Sequence, residues 1–306
     1  MKNTSFPFVS ILTPSKNRAH LLAMAINSVK NQDYPNIEHI IMDGGSTDNT
    51  LELVTEYPEI KIFSEEDSGM YEALNNGLKK AGGQIIGFLN SDDFYAEHVF
   101  KDISQLLNEN QQIDAVFGSA QVFTNLPDQE IEPREIVQTL RNNRLWDLLT
   151  DVPAFNAWFF RREVFEKIGG FDTTLKFAAD RDFLIRFYLE GMKYKLYDKV
   201  VYCYRSHSGS MTIDLEQRND FKIREEHLQI VEKYLKLNTL SYEHRRDFRK
   251  WHTYNSVELV RQFFKIGEVN LAMQIIKRGL AKNILWPFAF IRRNLHVLID
   301  NIFGTV

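Results

Sequence analysis

Two sets of closely spaced carboxylates are the residues best suited to chemistry. Asn90-Ser91-Asp92-Asp93 follows the apolar run QIIGFL (84–89), so two adjacent acids are delivered to the rim of the core. Adjacent carboxylates repel, and removing them from water is costly unless a cation or hydrogen-bond donors balance them. A divalent ion bridging diphosphate oxygens would do so, and oxygen ligands suit magnesium or manganese, held by one or two carboxylates plus substrate phosphates. The plainer alternative is a solvated pair capping a helix that begins at Tyr95. The second set is Asp180 and Asp182 in AADRDFLIR. Two residues apart at a helix start, they cannot share one helical face, so one can reach a site while the other caps or pairs with an arginine. As a lone pattern, such a pair is more often a cap.

Other loops carry weaker signals. In DGGSTDNT (43–50), Gly44 and Gly45 allow close backbone approach, and Ser46, Thr47 and Asp48 can cap the next helix. Asp43 would stand at the strand edge, able to accept hydrogen bonds from a base or ribose; a tight strand-to-helix turn explains the same residues. No GxGxxG follows the first strand and no GxxxxGK[ST] loop occurs. His207 could complete a metal shell, touch a diphosphate or fix its own loop by hydrogen bonding. Trp158, Phe159 and Phe160 could stack on sugar faces, although their apolar neighbours suit a core cluster better.

These loops need a frame that brings them together. Phe8–Thr13, Glu38–Met42, Ile60–Ser64 and 84–89 read as strands, separated by helical patterns over His20–Asn31, Thr50–Tyr57 and Met70–Ala81. The alternation implies an α/β fold with a mostly parallel sheet covered by helices, whose polar loops converge at the carboxyl edge of the strands. Further on, Asp114–Phe123 and Val200–Tyr204 read as strands, Arg162–Ile168 and Asp180–Glu190 as helices, Pro127–Pro133 as a loop and Ile136–Leu149 as a helical or irregular crossing. From Leu215 the pattern is helical, which divides the chain into 1–214 and 215–306.

Composition narrows the class. In 306 residues, 44% hydrophobic and 25% charged, there is ample material for a core, and the single Cys203 excludes an intramolecular disulfide or a cysteine zinc site. A reducing compartment is expected, and no apolar run approaches the ~18–20 residues of a membrane span. From Leu215 onward there are 16 Lys and Arg against 10 Asp and Glu, whereas the part before carries 21 against 31. An acidic first part disfavours nucleic acid as a partner.

VSILTPSKNR, IIMDGGSTDNT, EDSGMYEALNNG and GFLNSDD, in that order and spacing, resemble glycosyltransferase family 2, with likeness continuing through WFFRREVFEKIGGFD, AADRDFLIR and YRSHSGSMT. The resemblance implies a GT-A fold, Rossmann-like, with a C-terminal helical extension. It implies that Thr13, Pro14, Asn17 and Arg18 border a nucleotide, with Asp43 and Gly44 near the base or ribose. Asp67 and Gly69 match a loop that closes over the donor, Asn75 lies in the adjoining helix, and Asn90 and Asp92 face the ribose or metal. Asp93 is the leading candidate for direct coordination of Mn2+ or Mg2+, with Asp92 and His207 beside it. Asp180 matches the catalytic base, six residues before Arg186, with Asp182 as the fallback. Trp158 and Arg181 are acceptor-side candidates.

The expectation is an inverting transferase that moves one sugar from a nucleotide-diphosphate donor, UDP-linked by family habit, to a glycan or lipid-linked glycan. The rivals are a nucleotidyltransferase of similar fold and an inactive sugar- or partner-binding module. The expected location is the cytoplasm or the inner face of the membrane. For the tail, ILWPFAFIRRNLHVLIDNI (284–302) mixes aromatic and basic residues as an interfacial helix does. Pro287 interrupts that pattern, so a helical bundle packing on the catalytic domain or on another subunit is the alternative.

Overall fold

The computed structural model describes residues 6–125, 131–137, 144–150, 154–206, 220–283 and 285–291. The chain forms two compact units, one of residues 1–143 and 151–215, the other of residues 144–150 and 216–306.

The first unit opens with strict alternation: β1 (Val9–Ser15), α1 (Ala19–Lys30), β2 (Ile37–Asp43), α2 (Thr50–Thr55), β3 (Lys61–Ser64), α3 (Met70–Lys80) and β4 (Ile85–Phe88). Then come β5 (Phe94–Tyr95), α4 (Val99–Glu109), β6 (Ala115–Asn125) and β7 (Ile131–Val137). After α5 (Leu145–Thr150), which belongs to the second unit, the first resumes with β8 (Trp158–Arg161), α6 (Arg162–Ile168), α7 (Ala179–Leu189) and β9 (Tyr194–Arg205).

One sheet runs β3-β2-β1-β4-β8-β6-β9-β5, with β7 added to β6. Its first four strands are parallel; beyond β4 it is mixed, because β8 runs antiparallel to both β4 and β6. Strands β1 and β2 are buried along nearly their whole length because helices cover both faces, as parallel sheets require. Ile11, Ile41 and Ile85 pack with Leu22, Ala25, Ile26 and Val29 of α1, the i, i+3, i+4, i+7 positions of one helical face. Alternate residues face α3, where Gly77 lets the helix settle closely: a Cβ there would lie 3.1 Å from Met42 Cγ. Each large side chain so buried contributes about 1.5–3 kcal/mol.

The same alternation governs β8. Phe159 meets Tyr95 and Phe100, whereas Trp158 and Phe160 turn to a layer of rings that includes Phe117, Phe155, Phe183 and Phe187. Trp158, 0% exposed and stacked 4.5 Å from Phe117, is therefore a core residue and not part of an acceptor wall.

Several boundaries differ from the sequence reading. The helix expected from Tyr95 begins at Val99, because Phe94 and Tyr95 pair with Cys203 and Tyr202 of β9. β9 starts at Tyr194 instead of Val200, its exposed first half held by pairing with β6. Residues 131–137, expected to be loop and crossing segment, form β7 through pairing with β6, which local pattern does not reveal.

The second unit contains α8 (Asp220–Leu235), α9 (Tyr242–Lys265) and α10 (Val269–Lys282) besides α5. Tyr234 stacks on Phe248 at 5.2 Å, and Trp251, Leu259 and Val260 fill the interior. Trp286 seats against Gly279, where any Cβ would collide with the indole, and donates to Ser256 Oγ at 2.7 Å. Pro287 stands in the first turn of a short helix over 286–291, a position where its missing N–H leaves no bond unmade.

Candidate active site

Strand order reverses between β1 and β4, and a cleft of about 350 Å³ opens beyond their carboxyl ends. Pro14, Lys16 and Arg18 reach it from the loop after β1, Asp67 and Gly69 from the approach to α3, and Asn90 to Asp93 from the loop after β4. Asn156, Lys176, Phe177, Asp180, Tyr204 and Arg205 close the other side. The sheet topology thus brings acids from positions 67, 92, 93 and 180 around one space, together with Lys16, Arg18, Lys176 and Arg205.

Asp93 is 3% exposed and accepts three hydrogen bonds. Its Oδ2 accepts from Tyr202 OH at 2.8 Å and Asn90 Nδ2 at 2.9 Å, and its Oδ1 from the Arg205 backbone N–H at 2.8 Å. Burial, reinforced by the charge of Asp92, pushes its carboxyl well above the usual range. Asp92, half-buried, lines the same cleft beside it. Asp93, the expected direct ligand, lines the cleft and also holds together the loop that carries Asp92. Arg205 contributes twice, since its Nε also donates to the Asp92 carbonyl at 2.8 Å.

Asp180 and Asp182 diverge as their spacing requires. Asp180 is half-buried and lines the cleft, and desolvation raises its carboxyl above the ordinary value, partly offset by the charge and backbone N–H of Arg181. Asp182 is 0% exposed and bonds Arg186 Nε at 2.9 Å, so it does not reach the cleft. Arg186 also donates to the carbonyls of Ile168 and Gly170, which ties α7 to the loop after α6. Asn75 fastens the same loop from α3: its Nδ2 donates to the Phe171 carbonyl at 2.9 Å and its Oδ1 accepts from the Phe171 N–H at 2.8 Å. Asn75 is therefore a clamp and not a donor contact. Arg181 is outside the cleft lining, and its charge and backbone N–H bear on Asp180.

Of the residues expected to meet the donor, Pro14, Arg18, Asp67, Gly69 and Asn90 line the cleft. Thr13 does not, because it is fully buried with its hydroxyl 2.8 Å from His39 Nε2. Asn17, at φ 54°, joins two loops: its Oδ1 accepts from the Thr47 and Asp48 N–H groups and its own N–H donates to Ser46 Oγ. Asp43, also buried, accepts from the Ser46 backbone N–H at 3.0 Å, the Ser46 hydroxyl, and Ser64 Oγ at 2.6 Å. It is thus one layer behind the lining. Gly44 makes room for Asp67, whose Oδ2 would sit 2.8 Å from any Cβ at position 44. Burial raises the Asp67 carboxyl as well.

Tyr202, Tyr204 and Asn156 escaped the sequence reading. Tyr202 OH donates to Asp93 while accepting from the Asn90 N–H at 2.9 Å and Asn156 Nδ2 at 3.2 Å, and the Tyr204 hydroxyl accepts from the Asn156 N–H at 3.4 Å. The period-two spacing of Tyr202 and Tyr204 in VYCYR was the available signal. His207 lies outside the described residues.

Magnesium and manganese need few protein ligands when phosphates supply the rest. Among the described residues no group of three or more His, Cys, Asp or Glu is set to hold a metal alone. One accessible acid beside a second whose ionisation it opposes fits an ion shared with a bound diphosphate.

The sequence model of "Glycosyl transferase family 2" matches residues 10–169. The chain is 27% identical over 217 residues to the uncharacterized glycosyltransferase EpsJ of Bacillus subtilis (strain 168), covering 67% of this chain and 63% of that protein. To the uncharacterized glycosyltransferase RT0329 of Rickettsia typhi it is 30% identical over 196 residues, 61% of this chain and 60% of the relative. It thus spans less than two thirds of the length of either. Among solved structures, S. aureus TarS 1–349 in complex with UDP-GlcNAc has a TM-score of 0.62 at 17% identity, covering 94% of this chain and 87% of that one. A mannosyltransferase from Pyrobaculum calidifontis in complex with GDP-Man and Mn2+ has a TM-score of 0.58 at 18% identity, covering 95% and 88%. At such identities the likeness is one of fold.

Proposed function

This chain belongs to glycosyl transferase family 2, and from that premise we propose that it is an inverting glycosyltransferase. It moves one sugar from a nucleotide-diphosphate donor, UDP-linked, to a hydroxyl of a glycan or lipid-linked glycan. The observation that carries this reading is that Asp92 and Asp180, 88 positions apart, open on one cleft at the carboxyl edge of the sheet.

In the proposed reaction Asp180 accepts the acceptor hydroxyl's proton as the oxygen bonds to the anomeric carbon. The bond from that carbon to the diphosphate oxygen breaks, and the nucleoside diphosphate leaves with the electron pair. Attack from the side opposite the leaving group inverts the anomeric centre. Burial of Asp180 suits it to this work, because a raised carboxylate is a stronger base. Lys16 and Arg18 lie where they can hold the phosphates, and Asp67 where it can meet the ribose or sugar. A divalent cation, magnesium or manganese, held by Asp92 and the donor's phosphate oxygens, would supply charge neutralisation on the leaving group. Asp93, Tyr202 and Arg205 fix the Asp92 loop. The proposed location is the cytoplasm or the inner face of the membrane.

A panel of nucleotide sugars, assayed for nucleotide release with Mn2+ or Mg2+ and without, tests the proposal. Metal-dependent release from one donor, accelerated by an acceptor glycan, is expected. Diphosphate release from a nucleoside triphosphate plus a sugar phosphate would replace it with nucleotidyl transfer.

A further inference from the structure

We propose that the C-terminal helices form a docking surface for an anionic lipid bilayer, with α10 and the short helix after it lying in the headgroup plane. On α10, Ala272, Ile275 and Gly279 turn inward, which leaves Val269, Met273 and Leu280 as an outward stripe at i, i+4, i+11. Leu285, Phe288 and Ile291 extend it, and all six are between 45% and 70% exposed. A stripe of large apolar side chains at helical spacing is an anomaly on a surface otherwise exposed to water.

Charge decides the occupant. From residue 269 to 299 there is no Asp or Glu, while Lys277, Arg278, Lys282, Arg292 and Arg293 are all basic. Arg278 is paired with Glu232 at 3.1 Å, whereas Lys277 is exposed beside the stripe. Apolar side chains that enter the acyl boundary, flanked by cations that meet anionic headgroups, are the combination that holds a helix in the interface. A second copy of this chain would bring the same positive charge to a self-complementary contact, which opposes association. No helix among the described residues is long and apolar enough to cross a membrane, so the contact is peripheral. Trp286, seated on Gly279 and bonded to Ser256, holds the short helix over 286–291 to the bundle, with Phe288 and Ile291 exposed.

The experiment is flotation of the full chain with vesicles of 30% phosphatidylglycerol in phosphatidylcholine, against phosphatidylcholine alone. Binding to the anionic vesicles is expected at least tenfold above the neutral ones, falling in 0.5 M salt. Met273→Gln with Phe288→Ser should lower it by roughly tenfold, and Lys277→Glu by roughly fivefold, with melting temperatures unchanged because these side chains are exposed. Equal flotation on both vesicles, or variants that float like the parent, overturns the proposal. So does a parent that is dimeric in solution and becomes monomeric on the Met273→Gln, Phe288→Ser substitution, since the occupant is then a second copy. Nucleotide release from a soluble donor reports the active site separately and stays unchanged in these variants.

Discussion

Asp180 and Asp182 share the first turn of α7 yet face different surroundings: the first opens on the cleft, while the second is sealed in the protein with its Oδ2 2.9 Å from Arg186 Nε. The two acids therefore fail differently when replaced. Asp180→Asn should lower kcat by about 10²- to 10⁴-fold, the usual contribution of a general base, with nucleotide affinity by calorimetry within about twofold of the parent by the same argument. Asp182→Asn should instead lower the melting temperature, because breaking a buried pair costs about 3–5 kcal/mol. The reverse pattern would transfer the base role to Asp182.

The acidic limb of the kcat profile should reflect Asp180. Its carboxyl is raised by burial, so the reactive carboxylate is lost as pH falls through a value above the ordinary 3.8. The sign for stability is opposite: a carboxyl raised in the folded state opposes folding once ionised, so Asp180→Asn should melt higher than the parent near pH 8. A parent limb identical to that of Asp180→Asn would remove Asp180 from the proton transfer.

Asp92→Ala and Asp93→Ala should separate ion holding from loop support. The first should lose the metal-dependent part of nucleotide binding with little change in melting. The second strands Tyr202 OH, Asn90 Nδ2 and the Arg205 N–H, at about 1–3 kcal/mol for each buried group left unsatisfied. Denaturant melts alongside calorimetry with and without Mn2+ read both effects; equal stability in the two variants would mean that Asp93 supports nothing.

Gly44→Ala should raise the donor KM several-fold while leaving kcat nearly intact. Its Cβ would press on Asp67 Oδ2, and Asp67 must shift. Steady-state kinetics on the donor decide it, and an unchanged KM would place Asp67 away from the donor.

In the second unit, Glu232 is held down to about 2 by its bond to His252, then by Arg278. A depressed carboxyl stabilises the fold above its unfolded value near 4.5, and that stability is lost as pH falls through about 2. Glu232→Gln should abolish this acid-dependent loss in thermal melts between those values.

The parallel half of the fold was readable because each strand there is a short apolar run closed by a polar loop, and a buried two-sided strand needs no partner to announce itself. β7 and the exposed first half of β9 were not, since they exist by pairing with β6, a relation far apart in sequence. The acids at 92 and 180 were legible because closely spaced carboxylates beside an apolar run demand explanation, whereas Asp67 came from the resemblance of its loop to the family. Thr13, Asn17 and Asn75 sit in the right motifs but spend their polar atoms on the protein itself. Sequence cannot distinguish a side chain that faces a ligand from one that holds the loop beside it. Tyr202 was hidden by its aromatic ring, which reads as core, although its hydroxyl reaches Asp93.

The rings beneath the cleft bear on how its selectivity can change. Phe155, Phe160, Phe171 and Phe183 interlock with centroids 5.3 to 5.7 Å apart, and Phe155 itself forms part of the cleft wall. A floor this tightly tiled resists enlargement, because trimming one ring leaves a void that its neighbours cannot fill. Retargeting the protein to a bulkier sugar or a different nucleotide is therefore a matter for the rim, where Lys176 is exposed.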